Sequence, residues 1–246
     1  YNIIKIILTE ENMIYNIAGI TVDMEPKFPR TAKQSEAYLA PDAVNADVRI
    51  RLDEAYMAQL LKENPQLSPE SCEYICMGSE FYDALISYGG FLLHSSAVVY
   101  NEKAYLFSAP SGTGKSTHTQ LWLKRFDGSY ILNDDKPAIK IQKNGFFAFG
   151  TPFSGKTDLN INKCVPLGGI CFIERSDKNY IEKIPSDEAL FRLLNQTVRP
   201  YGQNKMDILL KILDKLINTM PIYKLHCNMD LEAADVAYNG MKGELK

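Results

Sequence analysis

The residues best placed to do chemistry follow a short apolar run. Residues 104–107 are apolar, and the small residues after them lead into Gly114, Lys115 and Ser116. Residues 117–126 contain no Gly or Pro, which favours a helix. A loop between a strand and a helix surrounds an anion with backbone N–H groups, and the helix start adds partial positive charge. The pattern therefore predicts a site for the phosphates of a nucleoside triphosphate, formed by Ser111, Gly112, Thr113, Gly114, Lys115, Ser116 and Thr117.

A second stretch, GTPFSGKT over residues 150–157, matches the phosphate-loop pattern G-x-x-x-x-G-K-[ST] literally. The earlier loop departs from that pattern, because Ala109 stands in place of its first glycine. After Lys156, however, apolar and polar residues alternate and the chain meets Pro166, so no phosphate-facing helix is predicted there. We therefore place the triphosphate on the earlier loop, and we interpret the later match as an accident of sequence or a substrate loop.

Two adjacent acids, Asp134 and Asp135, end the apolar stretch 130–133. They lie about twenty residues beyond Lys115, where a neighbouring strand delivers side chains to the same edge of a sheet. One carboxylate of such a pair can bind Mg²⁺ while the other orients or deprotonates a nucleophile. Taken alone, the pair also fits a solvated turn.

Composition limits the classes of partner. The chain has 246 residues, is 46% hydrophobic and 23% charged, and carries a net charge of −3. Its 27 basic and 30 acidic side chains are mixed along the sequence, which argues against nucleic acid or an anionic membrane as a partner. Its five cysteines are odd in number and show no paired C-x-x-C spacing, which indicates a reduced, cytoplasmic protein.

The pattern of elements predicts an α/β protein with two domains, a small N-terminal α+β lobe over 1–85 and a catalytic core over 86–246. In the lobe we expect a hairpin of strands 2–8 and 13–22, a loop over 26–41, a strand over 46–52 and a turn at 63–69. A helix over 78–87 is expected at the boundary. The expected elements of the core are helices over 186–197, 204–218 and 230–238, and strands over 91–100, 138–142, 145–149, 167–174 and 222–227.

Three stretches together resemble one family. His94 lies in LLHSSAVVY, and SAPSGTGKST and ILNDD follow it in that order. In this respect the chain resembles the HPr serine kinase and phosphoenolpyruvate carboxykinase superfamily, and within it the small HPr-kinase-like proteins. The resemblance implies a mixed-sheet P-loop kinase core. It covers residues 91–135 most clearly.

The resemblance also implies roles for single residues. Lys115 would contact the β- and γ-phosphates, and Ser116 and Asp135 would bind Mg²⁺. Asp134 would act as the base, and His94 would lie near the phosphates. Physical reasoning from the sequence leaves the order of the two acids open. Thr117 stands where HPr kinase proper has glutamate, and GTPFSGKTD replaces its downstream glycine-rich signature.

These observations predict an ATP- and Mg²⁺-dependent kinase that transfers the γ-phosphoryl group to a hydroxyl, with serine in a peptide or protein as the favoured acceptor. Related enzymes that tailor ribosomally made peptides suit a chain of this size. Candidate substrate contacts are Lys156, Arg175 and Arg199. A kinase for a small metabolite, a carboxykinase-like lyase and a nucleotide-binding regulator without catalysis remain alternatives, and self-association is left open.

Overall fold

The structure is a computed structural model that describes residues 13–242. Its strands are β1 (Ile14–Ile17), β2 (Ile20–Met24), β3 (Val48–Ile50), β4 (Gly90–Leu92), β5 (Ser95–Tyr100), β6 (Lys103–Ser108), β7 (Tyr130–Asn133), β8 (Ala138–Gln142), β9 (Gly145–Phe149), β10 (Cys164–Arg175), β11 (Tyr180–Lys183) and β12 (Ile222–Cys227). Its α-helices are α1 (Pro29–Ser35), α2 (Glu54–Glu63), α3 (Pro69–Ser87), α4 (Lys115–Arg125), α5 (Ser186–Asn195), α6 (Gln203–Thr219) and α7 (Glu232–Met241). None of these helices is long and apolar enough to cross a membrane.

The hairpin near the N-terminus differs from the predicted one. β1 and β2 pair with each other across a tight turn at Ala18 and Gly19, both with positive φ, so the strand predicted over 13–22 is in fact two strands. Its predicted partner, 2–8, lies outside the described residues. β3 adds to β2 in parallel, as the third strand of a small sheet.

The loop predicted over 26–41 is wrong, because the structure forms α1 and a short 3₁₀ helix there. Pro29 occupies the first turn of α1, where a helix does not need the missing N–H. The buried carboxylate of Glu73 on α3 accepts hydrogen bonds from the N–H groups of Lys27 (2.7 Å) and Phe28 (3.2 Å) just before that turn. This long-range contact, invisible in the local sequence, fixes α1.

The main sheet has nine strands, of which β4, β8, β9, β10, β6, β5 and β7 follow one another, with β12 and β11 continuing from β10. β10 and β12 run parallel to β6, and β5 runs antiparallel to both β6 and β7. The carboxyl ends of β6, β7, β10 and β12 therefore meet at one edge, together with the start of β5. In doubly wound sheets ligands bind at such an edge.

Helices cover both faces of this sheet. Along β6, Leu106 packs into one cluster with Leu209 and Leu213 of α6, whereas Phe107 packs on the opposite face with Trp122 of α4. This alternation is the period of a strand buried on both sides. The architecture is thus mixed α/β, as predicted.

Two predicted elements have different limits. Residues 91–100 form two strands, β4 and β5, because the chain breaks at His94, whose N–H donates to the carbonyl of Gln196 at 2.7 Å. α3 begins well before the predicted start at Gly78, with Ser68 as its N-cap. The other predicted helices and strands of the core are present within a few residues of their expected limits, whereas β11 was not predicted. The division into two domains at residue 85 stays a prediction.

Gly150, which opens the loop after β9, has no room for a side chain. A Cβ there would overlap the Ile161 carbonyl and lie 3.0 Å from that of Leu132. We expect Gly150→Ala to lower the free energy of unfolding by about 3 kcal/mol or more. Gly19→Ala, at a positive φ but in open space, should cost only about 1–2 kcal/mol. Urea unfolding measures both, and equal losses would contradict the packing around Gly150.

Candidate active site

The glycine-rich loop after β6 has the backbone that only glycine adopts readily. Gly112 and Gly114 have φ values of 76° and 129°, in a region that side-chain-bearing residues rarely enter. Gly114 is the N-cap of α4, and its carbonyl accepts the N–H of His118 at 2.9 Å. The loop and the first N–H groups of α4 therefore have the geometry that can bind an anion at the edge of the sheet.

Lys115 lies across this loop. Its side chain is 8% exposed, and its Nζ donates to the carbonyl of Ala109 at 3.0 Å. Burial lowers the pKa of this amine, while the charges of Asp135 and Asp134 act in the opposite direction. The lysine and the two acids thus share one electrostatic environment, as the sequence predicts.

Ser116 and Thr117 follow in the first turn of α4, where Ser116 is half-buried and Thr117 exposed. The hydroxyl of Thr119, one turn on, donates to the carbonyl of Ser116 at 3.1 Å. That hydroxyl also lies 2.8 Å from the Ser96 hydroxyl of β5. The start of α4 is therefore tied to the neighbouring strand beneath it.

Asp134 is 6% exposed, and hydroxyl groups satisfy both of its carboxylate oxygens. Ser96 donates to Oδ1 at 2.6 Å, and Thr157 donates to Oδ2 at 2.9 Å. A buried carboxylate is costly unless it is hydrogen-bonded, so these two bonds hold β5 and the 150–157 loop in place around it. Most of the 150–157 loop is buried, but Thr157 itself is exposed, so the hydroxyl on Oδ2 lies where a ligand can reach it.

Asp135 is more open and faces two basic groups. Its Oδ1 lies 3.2 Å from His94 Nε2, and its Oδ2 lies 2.8 Å from Lys136 Nζ. Burial alone would raise the pKa of this carboxyl, but the hydrogen bonds and charges of His94 and Lys136 lower it to about 2. Gln196 Oε1 holds the other ring nitrogen of His94 at 3.1 Å. Asp135 is therefore ionised at neutral pH, and His94 is fixed beside it.

Arg175, at the end of β10, forms hydrogen bonds with the glycine-rich loop. Its Nε donates to the carbonyl of Thr113 at 3.0 Å, and its Nη2 donates to that of Gly112 at 2.5 Å. Next to this contact lies a cavity of about 640 Å³. Its walls include Leu121 of α4, Ile173 of β10 and residues at the ends of β10 and β12. Its size falls within the range of small-molecule sites.

The two remaining substrate candidates, Lys156 and Arg199, lie on different segments of the chain. Lys156 is exposed on the 150–157 loop, next to Gly155, which packs against Asp135: a Cβ on Gly155 would lie 2.9 Å from the Asp135 Cβ. No helix follows Lys156, in agreement with the prediction. Arg199 is exposed, and its Nη2 donates to Asn195 Oδ1 at 3.3 Å, so its recorded contact is with the end of α5.

The oxygens at this edge suit magnesium. Within residues 13–242 no group of three or more His, Cys, Asp and Glu side chains could form an all-protein metal site. Mg²⁺, however, commonly takes one or two carboxylates together with substrate phosphates and water. The ionised, partly exposed Asp135 and the hydroxyl of Ser116 are oxygen ligands of that kind, so the residues present fit a magnesium ion that arrives with a triphosphate.

Four contacts around the acids were missed in the sequence. Ser96 follows directly after the His94 motif, and Thr157 ends the second loop match, so both lay inside stretches already singled out. Lys136 directly follows the two acids, so its closeness to them could also have been predicted from the sequence. Gln196 carries no such signal, because only the fold of α5 against β4 and β5 brings it to His94.

Comparisons with known proteins give little more. A scan against models of protein families matches none of them, and a search of curated proteins finds no significant match. Among solved structures, the HPr(Ser) kinase/phosphatase from Coxiella burnetii is similar at 14% identity with a TM-score of 0.26, over 52% of this chain and 88% of that one. A likeness at that TM-score supports no conclusion about function.

The ion pairs of Asp135 predict a pH dependence of stability. Its pKa is about 2 in the folded protein, against 3.8 for an unperturbed aspartate. A lowered pKa stabilises the fold above the unfolded value, and that contribution is lost as the pH falls from about 4 to about 2. We therefore expect Asp135→Asn to cost on the order of 2 kcal/mol at pH 6 and progressively less below pH 4. Urea titrations at several pH values test this, and a cost independent of pH would refute it.

Proposed function

We propose that this protein is an ATP- and Mg²⁺-dependent kinase that phosphorylates a hydroxyl group, with a serine of a peptide or protein as acceptor. The observation that carries the proposal is the meeting of the glycine-rich loop with Lys115 and the two acids of the adjoining strand end at one sheet edge. Phosphoryl transfer requires little beyond positioning and neutralisation of charge, and these residues supply both.

The nucleotide would bind with its phosphates in the glycine-rich loop. Backbone N–H groups of residues 111–115 would surround the β-phosphate, and Lys115 would leave the carbonyl of Ala109 to contact the γ-phosphoryl oxygens. The cavity of about 640 Å³ beside the loop has room for the nucleoside. Arg175 shapes this site by holding the loop through its carbonyl groups.

The two acids would have different roles, one as metal ligand and the other as base. Asp135, ionised and partly exposed, would hold the magnesium ion with Ser116, and the ion would neutralise phosphate charge. Asp134 already accepts a hydrogen bond from a hydroxyl, that of Thr157, on its Oδ2. An acceptor hydroxyl in that position could pass its proton to Asp134 as its oxygen bonds to the γ-phosphorus and the bond to the leaving ADP oxygen breaks.

His94 positions Asp135 in this proposal. Both of its ring nitrogens face oxygen atoms, of Asp135 and of Gln196, so neither is free to contact a substrate. We therefore assign it to holding the carboxylate and, through its charge when protonated, to the balance of charge around the phosphates.

The alternative functions differ in what they consume and release. A small-metabolite kinase would phosphorylate free hydroxyl compounds but no peptide. A carboxykinase-like lyase would require oxaloacetate and release CO₂, and a regulator would bind the nucleotide without transfer. Incubation with ATP, Mg²⁺ and each acceptor class, followed by mass spectrometry, separates them. The 150–157 loop lies against the acids, and such a segment can bind an extended acceptor, which favours the peptide kinase.

Lys115 is expected to stabilise the charge that moves during transfer. Lys115→Ala should lower kcat by roughly 10²- to 10³-fold, because one such electrostatic contact contributes about 3–4 kcal/mol to the transition state. Lys124→Ala removes an exposed lysine from the same helix and should leave kcat unchanged. Steady-state kinetics with any accepted peptide measure both. A Lys115→Ala enzyme within tenfold of wild type would remove this residue from the mechanism.

The roles of the two acids can be separated by one pair of variants. Asp134→Asn should lower kcat by at least about 10²-fold while the Kd of the magnesium nucleotide stays close to wild type, since the loss is that of a base. Asp135→Asn should weaken magnesium-dependent binding of the nucleotide itself. Calorimetry with a non-hydrolysable ATP analogue, with and without Mg²⁺, gives the affinities. The opposite pattern would reverse the assignment.

A further inference from the structure

A second cavity lies between α1 and the 150–157 loop, apart from the nucleotide site. It measures about 290 Å³. Its walls are formed by Arg30, Lys33, Gln34, Gly155, Lys156 and Asp158. Three of these side chains are cationic and one is anionic, although the chain as a whole has a net charge of −3. We call this space the cationic cavity.

The cations of this cavity differ in the contacts that hold them. The guanidinium group of Arg30 is held by its donation to the Gly155 carbonyl at 2.9 Å and lies 3.9 Å from the ring centre of Tyr74. Lys33 and Lys156 are exposed, and within residues 13–242 neither is recorded in an ion pair. A fixed guanidinium beside two unpaired amines attracts negative charge.

Gln34, a further residue of the cavity wall, is almost fully buried. Gln34 is 7% exposed, and its Nε2 lies 3.4 Å from the Gly155 carbonyl, which fixes the direction of the amide. Its Oε1 is buried without a hydrogen-bond partner. The attraction of the cavity for negative charge therefore comes from Arg30, Lys33 and Lys156.

The cationic cavity adjoins the candidate base. Gly155 packs against the Asp135 carboxylate, where a Cβ would lie 3.2 Å from Oδ2, and Thr157 donates to Asp134 Oδ2 at 2.9 Å. Between them stands Lys156, whose side chain lines the cavity. The same short loop therefore contacts both acids and forms one wall of the cavity.

We propose that the cationic cavity binds a carboxylate side chain of the peptide acceptor, next to the residue to be phosphorylated. The acceptor hydroxyl then replaces the Thr157 hydroxyl on Asp134 Oδ2. The inference rests on the proposed function and adds to it the chemical class of the acceptor: a peptide with Asp or Glu beside its serine. It also gives a role to the second loop match, GTPFSGKT, which no helix follows.

Binding of short synthetic peptides tests this directly. The probes are fluorescein-labelled Gly-Asp-Asp-Ser-Gly-Gly, the same peptide with both Asp replaced by Asn, and the same peptide with both replaced by Lys. Anisotropy is measured at low ionic strength, with Mg²⁺ and a non-hydrolysable ATP analogue present, because salt screens exposed charges. We expect the Asp peptide to bind wild type at least about tenfold more tightly than the Asn peptide.

Two charge-reversal variants provide the matched comparison. Lys33→Glu with Lys156→Glu reverses the two exposed cations of the cavity, and should make the Lys peptide the preferred one. Lys211→Glu with Lys215→Glu makes the same change of net charge on exposed positions of α6, and should keep the wild-type preference. Binding of the nucleotide analogue should be unaltered in both.

Three results would overturn the proposal: equal binding of the Asp and Asn peptides, an equal effect of the two double variants, or displacement of the Asp peptide by inorganic phosphate at the same concentration. Transfer is measured separately, by mass spectrometry of the same peptides after incubation with ATP and Mg²⁺. Selective binding that depends on Lys33 and Lys156 but gives no phosphopeptide would support the cavity as an acidic-peptide site and refute the kinase assignment.

Discussion

The candidate site depends on one buried carboxylate. Asp134 directly follows β7, the last strand in the sheet order, and is almost without contact with solvent. Its charge is tolerable only because Ser96 and Thr157 donate to its two oxygens. These donors come from an adjacent strand and from a distant loop, and Ser96 in turn contacts Thr119 of the helix that begins at Lys115. The hydrogen bonds that this charge requires thus connect the end of β7, the start of α4 and the 150–157 loop into a single unit.

Two cavities of different character lie beside this unit. On one side, the end of β10 holds the glycine-rich loop through Arg175, beside a cavity large enough for a nucleoside. On the other side, the 150–157 loop presents Gly155 and Thr157 to the two acids, and Lys156 to the cationic cavity. In the proposed reaction the phosphoryl group would pass from the glycine-rich loop to an acceptor hydroxyl beside the acids. The proposed peptide acceptor follows from that arrangement.

Local chemistry could be predicted from the sequence, and long-range contacts could not. The glycine-rich loop needs positive φ at Gly112 and Gly114, and its two glycines indicate this already in the sequence. Helix α1 was missed because its start depends on a distant residue: the carboxylate of Glu73 accepts the N–H groups of Lys27 and Phe28 just before the first turn. For the same reason Gln196, which holds His94, became visible only in the folded protein. The order of the two acids, left open by the sequence, acquired a physical basis only from their different burial and partners.

The proposed function requires a triphosphate in the loop before Lys115, with its metal beside Asp135. A crystal structure of the protein with Mg²⁺ and a non-hydrolysable ATP analogue would show whether it binds there. We expect phosphate oxygens within hydrogen-bond distance of the N–H groups of residues 112–116, the Lys115 amine moved from Ala109 to the γ-phosphate, and a metal ion in contact with the Asp135 carboxylate. A triphosphate bound at Lys156, or a glycine-rich loop left without phosphate at saturating nucleotide, would contradict it.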